Sequence, residues 1–347
     1  MVVGAGWLAS GAPGLSKDGH PVVGYAEPSA EVVALADAAH LSEEGRQLLY
    51  AAHPEILDAT AFAGRCDDGE APGSTPADGP VGCFLQSGGS ASIVLYEPAD
   101  PRLHGYVVES AAHETLHAAW TRLGRAERDR LLPPLEAEVA ALPADDPLRV
   151  QIAGSVGSHP ENRPTELFAY VGTEIWRAGG LGSTLEDAYA RFVTDRAALV
   201  AVKDSWMAVL DDAAATVQSA SQELANQQSA NAMARAQLTG DTAAVAHYRQ
   251  AYEAKAAEVA ALPAQQRRLL ELSWVWWDGT DLPMAPAAQT LSAAADLLAR
   301  DDAALAARGS ALAVEEADVA SEEVRVQSLM TDLQALRSQL YPAAASS

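Results

Sequence analysis

The residues best suited to chemistry lie between Ser110 and Trp120, a run that contains His113, Glu114 and His117. On an α-helix, positions four apart lie on the same face, so the two imidazoles can bind one metal ion. Glu114 then lies beside them, where a carboxylate can act on a water molecule bound to that metal. This H-E-x-x-H spacing predicts the active-site helix of a zinc hydrolase. The alternative is a core helix whose histidines are satisfied by hydrogen bonds.

A catalytic zinc site usually has three protein ligands and one open position, so a third ligand is needed. We expect Glu166, 49 residues after His117, in an apolar run that is typical of a helix beginning near Asn162. The alternative for Glu166 is a surface carboxylate, in which case other residues would serve as the ligand: Glu161, His159 or Glu174. Tyr170 and His104 are candidate transition-state stabilisers, since each could donate a hydrogen bond to a developing oxyanion.

Periodicity and turn residues predict the elements that position these side chains. Two helices are expected over 29–40 and 42–53, followed by a loop region over 64–91 and a strand over 92–97. A short extended segment is expected over 105–108, with Ser110 as the N-cap of the H-E-x-x-H helix. Further on, Pro133 and Pro134 are expected to break a helical segment.

Residues from Ser183 onwards are typical of long helices, because apolar residues recur there in a near-heptad pattern. A break is expected at 239–241, and another helix is expected from 286 to about 340. The Trp274–Trp277 stretch is predicted to be an apolar plug at the end of a helical hairpin, the alternative being an exposed binding or membrane-touching tip. A single solvated helix or partial disorder is the alternative to the hairpin.

These patterns predict a mainly α (α+β) protein. We expect a loosely ordered segment over 1–28 and a small zincin-like domain with a short sheet over 29–183. Long antiparallel coiled-coil helices are expected over 184–347.

Composition and charge limit the partners of this 347-residue chain. A net charge of −24 makes nucleic acid and anionic membrane surfaces unfavourable partners. No apolar run reaches the roughly 18 residues of a membrane-spanning helix. Met1–Pro13 is a poor signal peptide, although it could be the remnant of a signal or membrane anchor.

The two cysteines bear on the cellular compartment in which the protein functions. Cys66 and Cys83 lie in a Gly/Pro/Asp-rich stretch where a disulfide is easily accommodated, and a disulfide implies an extracytoplasmic setting. The alternative is two free thiols in a cytosolic protein.

Three stretches resemble the gluzincins, zinc metallopeptidases in which two histidines of H-E-x-x-H and a downstream glutamate bind zinc. They are Asp100–Gly105, Ala111–Leu123 and Thr165–Ile175. More narrowly, they resemble uncharacterised bacterial metallopeptidase-like proteins with a C-terminal coiled-coil region, often anchored to the membrane at the N-terminus. The Cys66 and Cys83 loop also fits that group. The resemblance covers roughly residues 30–200.

The resemblance implies an extracytoplasmic bacterial metalloendopeptidase that uses Zn2+, with Glu114 as the catalytic base and a coiled-coil arm for docking or regulation. A peptide or protein would be the substrate, and the arm could bind a coiled-coil partner. The alternative is a catalytically inactive zinc-binding envelope protein that acts as an interaction scaffold. A third reading, a pure interaction module with a chance motif, requires Glu166 to lie far from both histidines.

Overall fold

The computed structural model describes residues 27–66, 82–87 and 90–340, and they form a mainly helical protein with two small sheets. The helices are α1 Ala30–Ala38, α2 Glu43–Ala51, α3 Ala59–Phe62, α4 His104–Arg122, α5 Arg125–Ala140, α6 Pro147–Val156, α7 Arg163–Glu174, α8 Ser183–Tyr189, α9 Arg196–Ala260, α10 Ala264–Leu269 and α11 Ala287–Ser338. The strands are β1 Glu55–Leu57, β2 Gly82–Ser87, β3 Ser90–Tyr96, β4 Glu271–Val275 and β5 Asp281–Pro286.

The chain divides into two compact units. Within the described ranges, unit 1 runs to Asp212 and also includes the chain from Leu333, whereas unit 2 is Ala213–Asp332. This boundary differs from the expected one at 183/184, because α9 begins as part of the core of unit 1, where Leu199 is fully buried. Residues 1–26 of the expected N-terminal segment lie outside the described residues.

Helix α4 is the centre of unit 1. Its small residues, among them Ala111, Ala112 and Ala119, are fully buried and allow neighbouring elements to pack closely on it. The expectation of an extended segment over 105–108 is wrong, since α4 already begins at His104. Ser110 is therefore not an N-cap, and its hydroxyl donates to the Tyr106 carbonyl within the helix at 2.9 Å.

A three-stranded sheet packs beside α4 in the order β1-β3-β2, with β1 parallel and β2 antiparallel to β3. The predicted strand over 92–97 is confirmed as β3, whose Ile93 to Tyr96 segment is buried. Strand β2 lies inside the predicted loop, because its six residues carry no long apolar pattern. The predicted Cys66–Cys83 disulfide is present and joins β2 to the chain that follows α3.

The expectation of a helix break is wrong at two places, where the helix continues. Pro133 and Pro134 lie inside α5, whose apolar residues Leu131 and Leu135 are fully buried, so core packing outweighs the missing N–H groups. Residues 239–241 lie inside α9, where the Asp241 carboxylate accepts hydrogen bonds from Gln237 at 2.7 Å and from the Arg308 guanidinium at 2.5 Å.

Unit 2 is built on the antiparallel pairing of α9 with α11. Ion pairs join Arg235 to Glu316 and Arg249 to Asp302. The later residue of α9 pairs with the earlier residue of α11, so the two helices run antiparallel. The β4–β5 hairpin lies between the two helices in sequence. Trp276 is buried there against Val245 of α9 and Leu298 of α11, as the predicted apolar plug requires, whereas Val275 of the same stretch is exposed.

Candidate metal centre

The two histidines lie on one face of α4, one helical turn apart. The ring centroids of His113 and His117 are 4.8 Å apart and the rings are nearly perpendicular, with an interplanar angle of 73°. This geometry follows from the four-residue spacing, because such side chains stack one above the other along a helix. Both side chains are nearly buried, with exposed fractions of 13% and 11%. Two imidazoles are thus held close together in a largely dry part of unit 1.

Helix α7 brings Glu166 to the same point. One carboxylate oxygen lies 3.8 Å from Nε2 of His113, and the other lies 3.6 Å from Nε2 of His117. The predicted third residue is therefore close to both imidazoles. Helix α7 comes this close to α4 because Gly172 has no side chain: a Cβ there would lie 2.5 Å from the Leu116 side chain.

Thr165, next to Glu166, sets the orientation of the second histidine. Its hydroxyl oxygen lies 2.7 Å from Nδ1 of His117. An Nδ1–H that donates to this hydroxyl leaves Nε2 unprotonated and directed towards Glu166, which is the tautomer that binds a metal through Nε2. Sequence reasoning missed Thr165, although its position directly before the chosen glutamate was the available signal.

The electrostatics of the three residues favour a proton on His113, a neutral His117 and an ionised Glu166. Burial lowers the pKa of His113, but the nearby Glu166 carboxylate and the charges of Glu114 and Glu174 outweigh burial and raise the pKa to about 9. Burial and the charge of His113 lower the pKa of His117 to about 4. Burial opposes ionisation of Glu166 as well, yet both imidazoles hold its pKa below the usual value.

Glu114 lies between α4 and strand β2. Glu114 is only 5% exposed. Its carboxylate lies close to the backbone of β2, since a Cβ added at Gly82 would lie 3.1 Å from one of its oxygens. Burial raises the pKa of Glu114 to about 7, although the charge of His113 and a hydrogen bond from the backbone N–H of Phe84 oppose the rise. A carboxylate with this pKa can both accept and return a proton near neutral pH.

The two candidate transition-state stabilisers are placed differently. The ring of Tyr170 contacts His113, with a centroid distance of 4.4 Å, and its hydroxyl lies 2.6 Å from that of Ser155. His104 is the first residue of α4, half exposed and 3.2 Å from Glu97. At a rise of about 1.5 Å per residue, His104 lies roughly 13 Å along the axis from His113, so the structure does not bring it to the site.

The reserve ligands also lie elsewhere. His159 and Glu161 contact each other at 3.0 Å, and both side chains are about half exposed or more. Glu174 at the end of α7 forms an ion pair with Lys203 of α9. Near them, Glu109 of α4 accepts a hydrogen bond from the Trp206 indole at 2.8 Å. Sequence reasoning did not single out Glu109, Lys203 or Trp206 as residues with polar contacts in the interior.

The donors fit a zinc ion. Within the described residues, His113, His117 and Glu166 form the one His/Cys/Asp/Glu group placed to hold a metal, with ligand atoms within 4.8 Å of one another. Zinc bonds of about 2.0–2.2 Å would place tetrahedral ligand atoms roughly 3.3–3.6 Å apart. The separations of 3.6 and 3.8 Å between Glu166 and the imidazoles are close to this spacing. Two imidazole nitrogens with one carboxylate are also a ligand set of catalytic zinc.

Comparison with protein-family models, with curated proteins and with solved structures finds no match to this chain. Along the part of the chain that the structure describes, no helix is both long enough and apolar enough to cross a membrane.

Proposed function

We propose that the chain is a zinc metalloendopeptidase of the gluzincin type, with a zincin-like catalytic unit. The observation that carries this proposal is the convergence of His113, His117 and Glu166, from two separate helices, beside the buried carboxylate of Glu114. A chance H-E-x-x-H sequence gives no reason for a carboxylate 49 residues later to lie within 4 Å of both imidazoles.

The three donors would hold zinc, and Glu114 would act as general base. When bound, the metal supplies Lewis acidity and lowers the pKa of a bound water from about 15.7 towards 7. The Glu114 carboxylate then accepts a proton from the attacking water and returns it to the leaving amine. Its burial beside Gly82 keeps the carboxylate in a fixed position, and its pKa of about 7 suits both transfers.

An extended peptide is the substrate class that the surroundings of Glu114 favour. Among the described strands, β2 pairs only with β3, so its other edge carries backbone groups without a ladder partner. The Phe84 N–H on β2 reaches Glu114, so this edge lies beside the proposed base. A peptide that adds to the edge as a strand would bring a backbone amide next to Glu114.

Tyr170 remains the candidate donor to the developing oxyanion, because its ring lies against His113. The Tyr170 hydroxyl now forms a hydrogen bond with the Ser155 hydroxyl at 2.6 Å. It would have to release Ser155 before it could donate to the substrate.

The alternative is a zinc-binding scaffold without activity, in which the long helices bind partners. A structural zinc usually has four protein ligands, whereas the described residues offer three. A site of three protein ligands that leaves the fourth position to water would favour the enzyme. In either case we propose an extracytoplasmic setting, supported by the Cys66–Cys83 disulfide.

Metal content is the first test. Purified protein reconstituted with zinc should contain about one zinc per chain, and His113→Ala should lose it. His104→Ala is the matched control, because it removes a histidine from the same helix outside the site. Zinc content that is unchanged in His113→Ala, or equally lost in both variants, would reject the site.

Peptide hydrolysis is the second test. Zinc-loaded protein incubated with a mixture of unstructured peptides should produce new termini, detected by mass spectrometry. A chelator should stop the cleavage and added zinc should restore it. A protein that binds one zinc and cleaves none of the peptides would support the scaffold instead.

A further inference from the structure

The Cys66–Cys83 disulfide lies beside the proposed base. Cys83 is on β2 between Gly82 and Phe84, and both of these neighbours lie against the Glu114 side chain. A Cβ added at Gly82 would lie 3.1 Å from a carboxylate oxygen of Glu114 and 3.2 Å from its Cγ. The backbone N–H of Phe84 is directed to the same carboxylate. The disulfide is therefore attached to the part of β2 that packs on the base.

This part of β2 is the open end of the strand, remote from the hairpin turn. Among the described strands, β2 pairs only with β3. The pair of Ser87 with Ser90 is next to the turn, whereas the pair of Gly82 with Leu95 is the last of the ladder at the other end. The ends of a ladder open first, because local opening there breaks few contacts. Without a further attachment, the residues that face Glu114 would therefore be the first of β2 to move away.

The Cys66 side of the disulfide is well anchored. Cys66 follows α3, where Phe62 is 5% exposed and its ring packs against that of Tyr96 on β3, with centroids 5.7 Å apart. Arg65, directly before Cys66, forms an ion pair with Glu55 of β1 at 2.9 Å. The disulfide thus ties the open end of β2 to a segment that packs on β3 and contacts β1.

The proposed zinc ligands are positioned by other elements. His113 and His117 lie on α4 and Glu166 lies on α7. The contacts that bring these helices together, at Gly172 and Thr165, do not include β2. Loss of the disulfide should therefore affect the base and spare the ligands.

We propose that Cys66 and Cys83 are positioning residues: their disulfide holds the open end of β2 against Glu114, so that hydrolysis requires the oxidised pair whereas zinc binding does not. A general base must lie within hydrogen-bond reach of the water that it deprotonates. A misplacement of about 1 Å can cost such a site roughly 100-fold in rate. Both cysteines are only partly buried, so a small reductant can reach the bond. This inference rests on the proposed function.

Reduction of the zinc-loaded protein by a phosphine tests the inference. The phosphine gives two electrons to the disulfide and becomes the phosphine oxide, while water supplies its oxygen and the two thiol protons. Peptide hydrolysis should fall by about 10- to 100-fold, and zinc should stay at about one per chain. Oxidised glutathione, which accepts the two electrons back, should restore the rate. Hydrogen exchange measured without substrate should become faster in residues 82–86 and stay unchanged in α7.

Two variants serve as controls. The double variant Cys66→Ser/Cys83→Ser should hydrolyse slowly from the start and should not respond to the phosphine. Gly82→Ala keeps the disulfide and disturbs the contact of β2 with Glu114, so it should slow hydrolysis and retain zinc even if the serine variant fails to fold.

Three results would decide against the proposals. Reduced protein with the hydrolysis rate and hydrogen exchange of the oxidised form would reject the positioning role. Zinc lost together with activity on reduction would reject it as well, because the disulfide would then support unit 1 as a whole. Oxidised, zinc-loaded protein that cleaves no peptide would instead overturn the proposed function.

Discussion

At the scale of single residues, the protonation of His113 decides how the candidate site would bind a metal. The pKa of His113 is raised to about 9 and that of His117 is lowered to about 4, so His113 carries the proton at neutral pH. A metal bound by Nε2 of His113 must displace this proton. Metal binding at this site would therefore depend on pH.

Zinc affinity should rise with pH up to about 9. Between pH 7 and 9 His117 stays neutral and Glu114, with a pKa of about 7, completes its ionisation, while His113 loses the proton that a metal ligand must give up. Each unit of pH should therefore strengthen binding roughly tenfold in this window. Calorimetry in buffers of different ionisation enthalpy should detect close to one proton released per zinc at pH 7.5.

The stability of the metal-free protein should change in the opposite direction. The folded-state pKa of His113 lies above its usual value of 6.5, so its contribution to stability is complete below pH 6.5 and is lost as pH rises through 9. Zinc affinity that is independent of pH, together with metal-free stability that rises from pH 7 to 9, would contradict this assignment.

At the scale of elements, the site depends on the close approach of α4 and α7, and Gly172 sets that distance. A Cβ at this position would lie 2.5 Å from the Leu116 side chain and 2.7 Å from the ring of Tyr189. Both neighbours are buried and cannot move freely. A larger residue would push α7, and with it Glu166, away from the histidines.

Gly172→Ala should lower the free energy of unfolding by about 1–3 kcal/mol, because overpacking forces neighbouring side chains or backbone to shift. It should also weaken zinc binding through the displacement of Glu166. Chemical denaturation and chelator competition measure the two effects.

Gly240→Ala is the control for the glycine substitution. Gly240 lies within helix α9, and nothing lies within 4 Å of a Cβ at that position. Alanine there should stabilise the helix by about 0.5–1 kcal/mol and leave zinc binding unchanged. An equal effect of the two substitutions would show that close packing at Gly172 is unimportant.

Local spacing made the H-E-x-x-H motif and several elements predictable from the sequence. The histidines on α4 and the choice of Glu166 follow from residue types, and helices α1 and α2 and strand β3 follow from periodicity. The start of α4 and the continuation of α5 through Pro133 and Pro134 were not predictable, because packing against the rest of unit 1 decides them.

The buried hydrogen bond between Glu109 and Trp206 was hidden from sequence reasoning for a similar reason. It joins α4 to α9, and the two residues are 97 positions apart. The signal that could have found it is modest: Glu109 interrupts an apolar run. A charged residue in such a run is expected to have a buried partner.

At the scale of the whole molecule, the two units have separate cores. The candidate metal centre lies beside the large core of unit 1, whereas the core of unit 2 includes Val245, Trp276, Ala294 and Leu298. The indole N–H groups of Trp276 and Trp277 both donate to one oxygen of Asp301 at 2.7 Å. This carboxylate therefore fastens the β4–β5 hairpin to α11.

Asp301→Ala should destabilise unit 2 and spare the metal centre. Removing the carboxylate leaves the two indole donors unpaired, at a cost of roughly 2–4 kcal/mol. The unfolding of unit 2, followed by tryptophan fluorescence, should shift to lower temperature. Zinc affinity should stay within about twofold of wild type, because each unit retains its own core. A comparable loss of zinc affinity would instead show that the cores are coupled.

The whole account depends on Glu114 acting as the base of a zinc-dependent hydrolysis. The most direct measurement is the zinc content and the peptide-cleavage rate of Glu114→Gln beside wild type in the same preparations. The substitution keeps the size of the side chain and removes the proton acceptor. The account predicts one zinc per chain in both proteins and a cleavage rate reduced by at least about 100-fold in the variant. A zinc-loaded Glu114→Gln protein that cleaves peptides at the wild-type rate would contradict it.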